Sequence, residues 1–480
     1  MSFSEIFGRI CSSGSTRSNI LTDGQFICSY GDAPHLLEQI GRFLDDLRVD
    51  ERESGCLAVE CVNSVPGALL LMALLEKRIS FVLTPPSGAE LKPTPHFCRH
   101  RVTVLPPEPA DSAALSPVRY LRADPNPLFN GKTTPPSKIY LRTSGSMGIS
   151  KLVVHSHEKM LGNARNCMNK YGFGPSSRAA IPVPVAHMYG FGAEFLPAVM
   201  AGASIDLQEK THLLKYLERE RQFQPNIVFA TPTLCEILMK GYKSPRTIYS
   251  VFVTSGQRIG EDLFRSFDPL VNGRLINQYG STEMGAIAAC DPGDTLDRRA
   301  TTIGKPMPGV DLRLDAMPGE ESGSGGELYC RHPCGYEGYV DEDGNPLGDV
   351  PADGWYRTGD LALRAPDNSI VVTGRADASV NRRGYLVLLS DIERKMEKFA
   401  ALRGVIVVAG RDETKQGQRI AAFCVPRQGA AVDGPELRRQ CYDVLPHYAI
   451  PDEVHITEEL PMLASGKVDR RSLAARIGSY

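Results

Sequence analysis

The sequence predicts an α/β fold in two parts: a large multi-lobed N-terminal domain with parallel-rich sheets and a β-rich lobe, then a small α+β C-terminal domain. Three observations predict it. A strand–helix–strand rhythm occurs twice before Gly304, short apolar runs punctuated by glycine follow it, and mixed segments return beyond Gly374. Strands joined through helices pair in parallel, whereas closely spaced short runs with turn residues between them form β-rich lobes.

Taken in order, residues 56–62 alternate loosely as a strand, 66–75 carry good helix formers, and 79–83 are β-branched and apolar before Pro85 and Pro86. Residues 105–136, dense in proline with few periodic apolar positions, read as a long connector. Segments 138–141 and 152–155 read as two strands of a hairpin-like turn. The rhythm recurs as strand 227–230, helix 234–240 and strand 250–253. Past Gly304 come short strands at 310–314, 326–330, 356–363 and 369–373. Beyond Gly374, 391–399 and 435–444 are expected as helices, and 405–409 and 419–425 as strands. The domain boundary therefore falls within 374–377, giving domains 1–376 and 377–480. A chain of 480 residues is too long for one core and long enough to bury a pocket.

Charge narrows the function. Fifty-four Lys and Arg against 56 Asp and Glu leave a net charge of -2, without the single-sign field of a nucleic-acid binder or a polybasic membrane surface. The apolar run 68–75 stops at Glu76, Lys77 and Arg78, short of the roughly 20 residues of a membrane span. Twelve cysteines are scattered rather than set in a framework, and no secretory signal precedes them, so reduced cytoplasmic thiols are expected. Cys330 with Cys334, or His96 with Cys98 and His100, lack a second ligand pair at zinc spacing.

Three separated segments carry residues suited to parts of ATP. Arg142-Thr143-Ser144-Gly145-Ser146-Met147-Gly148-Ile149-Ser150-Lys151 combines backbone N–H groups exposed by glycine with hydroxyls and a lysine, the donors a triphosphate needs. A P-loop would instead need Gly, four residues, then Gly-Lys-Ser/Thr opening a helix, an arrangement this chain lacks. Taken alone, Thr143 to Ser146 could equally be a polar turn without a ligand. In Tyr279-Gly280-Ser281-Thr282-Glu283, Tyr279 offers a ring for a purine, Thr282 a hydroxyl for the α-phosphate and Glu283 a hard oxygen for Mg2+. A carboxylate at a helix start would equally explain Glu283 by itself. In Tyr356-Arg357-Thr358-Gly359-Asp360, Asp360 can accept from both ribose hydroxyls.

In this order and spacing the segments resemble the adenylate-forming superfamily of acyl- and aryl-CoA synthetases, nonribosomal-peptide adenylation domains and luciferases, across about residues 20–475. The resemblance implies a phosphate loop with departures at Arg142, Met147, Ser150 and Leu152, and a ribose contact from Arg375. It implies that 460–470, Leu-Pro-Met-Leu-Ala-Ser-Gly-Lys-Val-Asp-Arg, brings the catalytic Lys467 from a mobile small domain, where a cation offsets repulsion between carboxylate and α-phosphate. Asp377 matches the hinge and Gly384 the loop lining a thiol tunnel, while Asn381 and Leu386 depart from the family pattern there.

For the acid pocket the resemblance implies Pro184-Val185-Ala186-His187-Met188-Tyr189-Gly190-Phe191-Gly192 and the loop Ser255-Gly256-Gln257, with His187 as a guard of the carboxylate. Amino-acid-activating relatives carry aspartate where Met188 stands, so a buried ammonium would lack its counter-charge unless Glu194 supplied one. Gly190 and Gly192, with Tyr189, Phe191 and Phe195, suggest an apolar slot for an aryl or acyl tail. The implied activity is an ATP- and Mg2+-dependent acid-thiol ligase acting on a small carboxylic acid, with CoA or the phosphopantetheine of an acyl carrier protein as acceptor. Rival readings are a non-thiol acceptor, such as an amine, and a non-catalytic nucleotide- or acid-binding protein of the same fold.

Overall fold

Helix Val65–Glu76 shows how the sequence builds the first unit. It is buried on every face, so its pattern is a continuous apolar run without a polar stripe. Ser64 caps it, the Oγ accepting from the Gly67 N–H at 3.2 Å, and Pro66 occupies the first turn, where no N–H is needed. The helix connects parallel strands Cys56–Glu60 and Ser80–Thr84, the first predicted strand–helix–strand unit. The second is Ile227–Ala230, helix Pro232–Gly241 and Val251–Thr254, again parallel.

The computed structural model describes residues 2–47, 55–85, 93–106, 116–142, 151–209, 212–316, 325–376, 379–382, 385–412, 417–462 and 468–477. It divides into two compact units, Met1–Asp311 with Cys330–Trp355, and Leu312–Tyr329 with Tyr356–Tyr480. The boundary expected within 374–377 rests on the change of sequence texture there, whereas these compact units divide at 311/312, 329/330 and 355/356; Asp377 itself lies outside the described residues.

The first unit holds two sheets. In the nine-stranded sheet the order is Lys305–Pro306, Gly285–Ala289, Leu275–Ser281, Val251–Thr254, Ile227–Ala230, Arg178–Ile181, Ser204–Leu207, Ile20–Thr22, Ile27–Ser29. The run from Leu275–Ser281 to Ile20–Thr22 is parallel, with antiparallel strands at each edge. The seven-stranded sheet runs Gly338–Val340, Leu152–Ser156, Lys138–Arg142, Ser80–Thr84, Cys56–Glu60, Cys98–Val104, Leu121–Pro125. The hairpin-like reading holds there: Lys138–Arg142 and Leu152–Ser156 pair antiparallel, with Arg142 opposite Leu152. The long connector needs correction, because it contains a 3-10 turn, Pro117–Tyr120, and an edge strand, Leu121–Pro125, paired with Cys98–Val104.

The second unit contains most of a four-stranded sheet of Asp311–Asp315, Gly325–Arg331, Tyr356–Arg364 and Ile370–Arg375, which is the predicted β-rich lobe. It also holds the hairpin Ser379–Arg382 and Tyr385–Leu388, and the sheet Leu402–Asp412, Gly417–Pro426, Glu453–Ile456. Helices Leu389–Met396 and Gly434–Val444 pack on that last sheet through Ile392, Met396, Leu437 and Cys441.

Candidate active site

Parallel strands aim their C-terminal ends at one edge, where ligands of open α/β sheets bind. Four neighbouring strands of the nine-stranded sheet end there, Arg178–Ile181, Ile227–Ala230, Val251–Thr254 and Leu275–Ser281. The segments after the first, third and fourth are those predicted from sequence: His187 to Gly192, Ser255 to Gln257, and Thr282 with Glu283. Strand order reverses at Arg178–Ile181, since the chain next adds Ser204–Leu207 on one side and later Ile227–Ala230 on the other. That reversal opens the crevice beside the acid segment.

Tyr279 and Gly280 lie at a bulge in the hairpin of Leu275–Ser281 with Gly285–Ala289. A side chain at Gly280 would come within 2.4 Å of the Gly285 carbonyl oxygen, so glycine permits this tight closure. Ser281 closes the turn, its Oγ accepting from the Met284 N–H at 3.0 Å. The Thr282 carbonyl accepts from His155 Nε2 at 2.8 Å and the Glu283 carbonyl from the Tyr336 N–H at 2.7 Å. The Glu283 carboxylate accepts from the Tyr339 hydroxyl at 2.8 Å through Oε1, and among the described residues no hydrogen bond reaches Oε2. Lys151 Nζ lies 4.6 Å from the centre of the Tyr339 ring. Lysine and carboxylate predicted for phosphate and metal are thus brought to the same tyrosine.

Arg142, a departure from the family pattern, has a structural reason. Its guanidinium forms a two-pronged pair with Glu342, Nη2 to Oε2 at 3.0 Å, and reaches the Pro93 carbonyl at 2.9 Å. This fixes the strand leading into the phosphate loop. Thr143, Ser144, Gly145, Ser146 and Gly148 of the loop itself lie outside the described residues.

On the acid side, the chain from Tyr189 to Phe195 forms a π-helical turn. Such turns are rare and concentrate at functional sites. His187 is exposed at its start, while Met188 is buried. The Tyr189 hydroxyl bridges two strand ends, donating to the Ala230 carbonyl at 3.1 Å and within 3.2 Å of the Val253 carbonyl. The space freed by the two glycines is taken by protein atoms. A Cβ at Gly190 would meet the Pro184 carbonyl oxygen at 2.3 Å, and one at Gly192 the sulfurs of Met188 and Met160 at 2.7 and 3.0 Å. Phe191 and Phe195 stack in the core. Glu194 is wholly buried, accepts from the Phe229 N–H at 3.2 Å, and has its carboxyl pushed well above the ordinary range by burial. Burial that disfavours the ionised form makes this carboxyl a poor counter-charge.

Asn163, on helix His157–Tyr171, joins the two sides: its Nδ2 donates to the Gly192 carbonyl and its Oδ1 accepts from the Ala286 N–H, both at 3.0 Å. Gly256 takes φ +85°, which suits glycine in the turn after Val251–Thr254, and the Ser255 N–H donates to the Ala230 carbonyl at 3.3 Å.

In the second unit Asp360 and Arg375 face each other across paired strands. Arg375 Nη1 lies 3.3 Å from Asp360 Oδ1 and donates to the Thr358 carbonyl at 2.9 Å. Gly359, at φ +73°, leaves room for that guanidinium, 2.8 Å from where a Cβ would stand. Asp377, Gly384 and Lys467 lie outside the described residues. The chain beside Lys467 is described: Met462 bridges Val468, the Asp469 N–H donates to the Pro461 carbonyl at 2.7 Å, and Arg470 pairs with Glu393. Among the described residues no three His, Cys, Asp or Glu gather as a metal cage. His96 pairs with Asp343 at 2.7 Å, and Cys98 lies beside Cys56.

Comparison with known proteins matches both parts of the chain. The AMP-binding enzyme model covers residues 99–340 and the AMP-binding enzyme C-terminal domain model residues 391–467. A mitochondrial malonate–CoA ligase of Bos taurus is 26% identical over 466 residues, 88% of this chain and 78% of its own. ATP-bound MatB from Rhodopseudomonas palustris has the same fold, with a TM-score of 0.82 at 18% identity and 100% of each chain covered. The amide bond synthetase McbA from Marinactinospora thermotolerans matches with a TM-score of 0.80 at 19% identity, covering 99% of each chain.

Proposed function

We propose, from the premise that this chain belongs to the AMP-binding enzyme family, that it is an ATP-dependent ligase joining a compact aryl or acyl carboxylic acid to a thiol. The observation that carries this reading is the meeting of Lys151 and Glu283 at Tyr339, beside strand ends that also present the acid segment. Glu283 suits Mg2+, which is commonly held by one or two carboxylates together with substrate phosphates and would supply charge neutralisation there. Lys151 and the loop residues Thr143, Ser144, Gly145, Ser146 and Gly148 bind the phosphates. Tyr279, Gly280, Ser281 and Thr282 hold adenine and α-phosphate, and Asp360 with Arg375 hold the ribose. His187 guards the acid. Met188, Tyr189, Gly190, Gly192, Ser255, Gly256 and Gln257 surround it. The glycine positions being filled by Pro184, Met188 and Met160 supports a compact acid.

A carboxylate oxygen attacks the α-phosphorus, the α–β phosphoanhydride bond breaks, and pyrophosphate leaves. Lys467 offsets the repulsion between the two anions. A thiolate of CoA or a carrier-protein phosphopantetheine then attacks the acyl carbon, and AMP leaves. Asp377 is the hinge between domains 1–376 and 377–480, and Gly384 lines the thiol path. The scattered free cysteines suit a reducing compartment, the cytoplasm in this proposal. No helix among the described residues is long and apolar enough to cross a membrane. Carboxylate-dependent ATP–pyrophosphate exchange over an acid panel tests the first step. Exchange is expected with a small aryl or short acyl acid, and silence with every acid would leave a binding protein. Mass spectrometry of products with CoA, carrier protein and an amine supplied together then reads the acceptor.

A further inference from the structure

The register of one small strand explains how Tyr339 reaches both charged groups. Gly338–Val340 pairs antiparallel with Leu152–Ser156, placing Tyr339 opposite Val153. Side chains two residues apart on a strand share a face, and diagonal neighbours come within reach of long or aromatic side chains. Lys151 and His155, two residues either side of Val153, are therefore on the Tyr339 face. The contacts follow: Lys151 over the Tyr339 ring, the Tyr339 hydroxyl on Glu283, and His155 on the Thr282 carbonyl. Tyr336 steadies the ring edge-on, with centroids 5.0 Å apart. The segment is itself anchored, because the Glu337 N–H donates to the Val154 carbonyl at 2.7 Å and Lys138 reaches the Glu337 carboxylate at 2.5 Å.

We propose that Tyr339 is a positioning residue for the magnesium–nucleotide site: its hydroxyl aims the Glu283 carboxylate while its ring seats the Lys151 ammonium. The proposal rests on the reading of Glu283 as the metal ligand and Lys151 as a phosphate ligand. One side chain then sets the spacing of the two groups that meet opposite charges on MgATP. Outer partners of metal-binding carboxylates act this way, by fixing orientation without touching substrate. Holding the carboxylate and the ammonium in place before MgATP arrives lowers the ordering cost of binding.

Binding of ATP to the full chain, followed by calorimetry with Mg2+ and again in EDTA, separates the two roles of Tyr339. Tyr339→Phe keeps the ring and removes the hydroxyl. It should weaken ATP binding about tenfold in Mg2+ and change it little in EDTA. Tyr339→Leu should in addition lose about threefold in EDTA, because the ammonium loses its aromatic seat. Glu283→Gln should abolish the advantage given by Mg2+, and Tyr339→Phe added to it should cost nothing more. A Tyr339→Phe protein that binds as the unaltered chain does, or that loses equally with and without Mg2+, overturns the proposal. If Glu283→Gln keeps the full Mg2+ advantage, the metal-ligand reading itself fails.

Discussion

His155 carries two ring nitrogens with different surroundings, and that difference makes its charge state a structural matter. Nε2 donates to the Thr282 carbonyl at 2.8 Å, so Nδ1 is the nitrogen without a proton, and it is buried with no hydrogen-bond partner among the described residues. Burial pushes the imidazole down to about 4. The folded value lies below the ordinary 6.5, so the unfolded chain takes up the proton first as pH falls. Stability from the neutral ring is complete above about pH 6.5 and drains away toward pH 4, with a slope of about 1.4 kcal/mol per pH unit for one proton. His155→Gln retains a donor for the Thr282 carbonyl and cannot titrate. Its unfolding free energy should therefore fall less steeply than the parent's between pH 6.5 and 4, and identical slopes in denaturant titrations would refute the neutral buried ring. His157, pushed down to about 3 by burial, keeps part of the slope in both proteins. Sequence reading reached Glu283 and Lys151 because motifs of adjacent residues carry them. It missed Tyr339, His155 and Asn163, whose partners stand 56, 127 and 123 residues away, because no local pattern encodes such pairings.

Among the elements, the π-helical turn Tyr189–Phe195 stores the least ordinary chemistry, a wholly buried carboxyl at Glu194. Phe229 needs it: Ile227–Ala230 pairs with Arg178–Ile181 only through Ile227 and Val228, and Glu194 Oε1 takes the next N–H. Because burial raises this carboxyl, its sign is opposite to that of His155. The protonated folded form is favoured below the unfolded pKa, and stability declines as pH rises from there toward the folded value. Glu194→Gln keeps an acceptor and stays neutral. Its stability relative to the parent should grow with pH above about 4.5, by up to about 1.4 kcal/mol per unit. Glu194→Ala leaves the Phe229 N–H unpaired and should cost about 1–3 kcal/mol before any cavity is counted. Thermal melts at several pH values check both, and a parent–Gln gap flat in pH would mean an ionised carboxyl. This turn was invisible in the sequence, since π-helical spacing has no composition of its own. Parallel strands such as Ile227–Ala230 were readable because burial on both faces makes them continuously apolar. Leu121–Pro125 was not: it is an edge strand with mostly exposed side chains, and proline nearby reads as loop.

For the molecule as a whole, the proposed reaction needs a residue from the second unit, so the chain must hold Lys467 firmly in that unit's own frame. The described residues that follow it in sequence are anchored to that unit. Glu393, on helix Leu389–Met396, accepts at Oε1 from the Val407 N–H and from Arg470 Nη1, both at 2.7 Å, and at Oε2 from Arg470 Nη2 at 3.0 Å. Arg470 also donates to the Val407 carbonyl at 2.9 Å, while Asp469 caps helix Arg470–Ala474. Arg470, three residues beyond Lys467 in the sequence, is therefore tied to helix and sheet at once, and Met462 bridges Val468. Lys467→Ala should abolish most ATP–pyrophosphate exchange yet leave MgATP affinity nearly intact, because in the proposed reaction the lysine acts on the approach of acid to α-phosphate and not on nucleotide capture. Arg470→Met breaks the two-pronged pair but leaves the lysine in the chain. Its exchange rate should fall by about 10-fold to 100-fold, the cost of a misplaced catalytic group, with MgATP affinity again unchanged. Exchange at the parental rate in Arg470→Met would show that the anchor does not place the lysine, and a matching loss of MgATP binding would show damage to the fold instead.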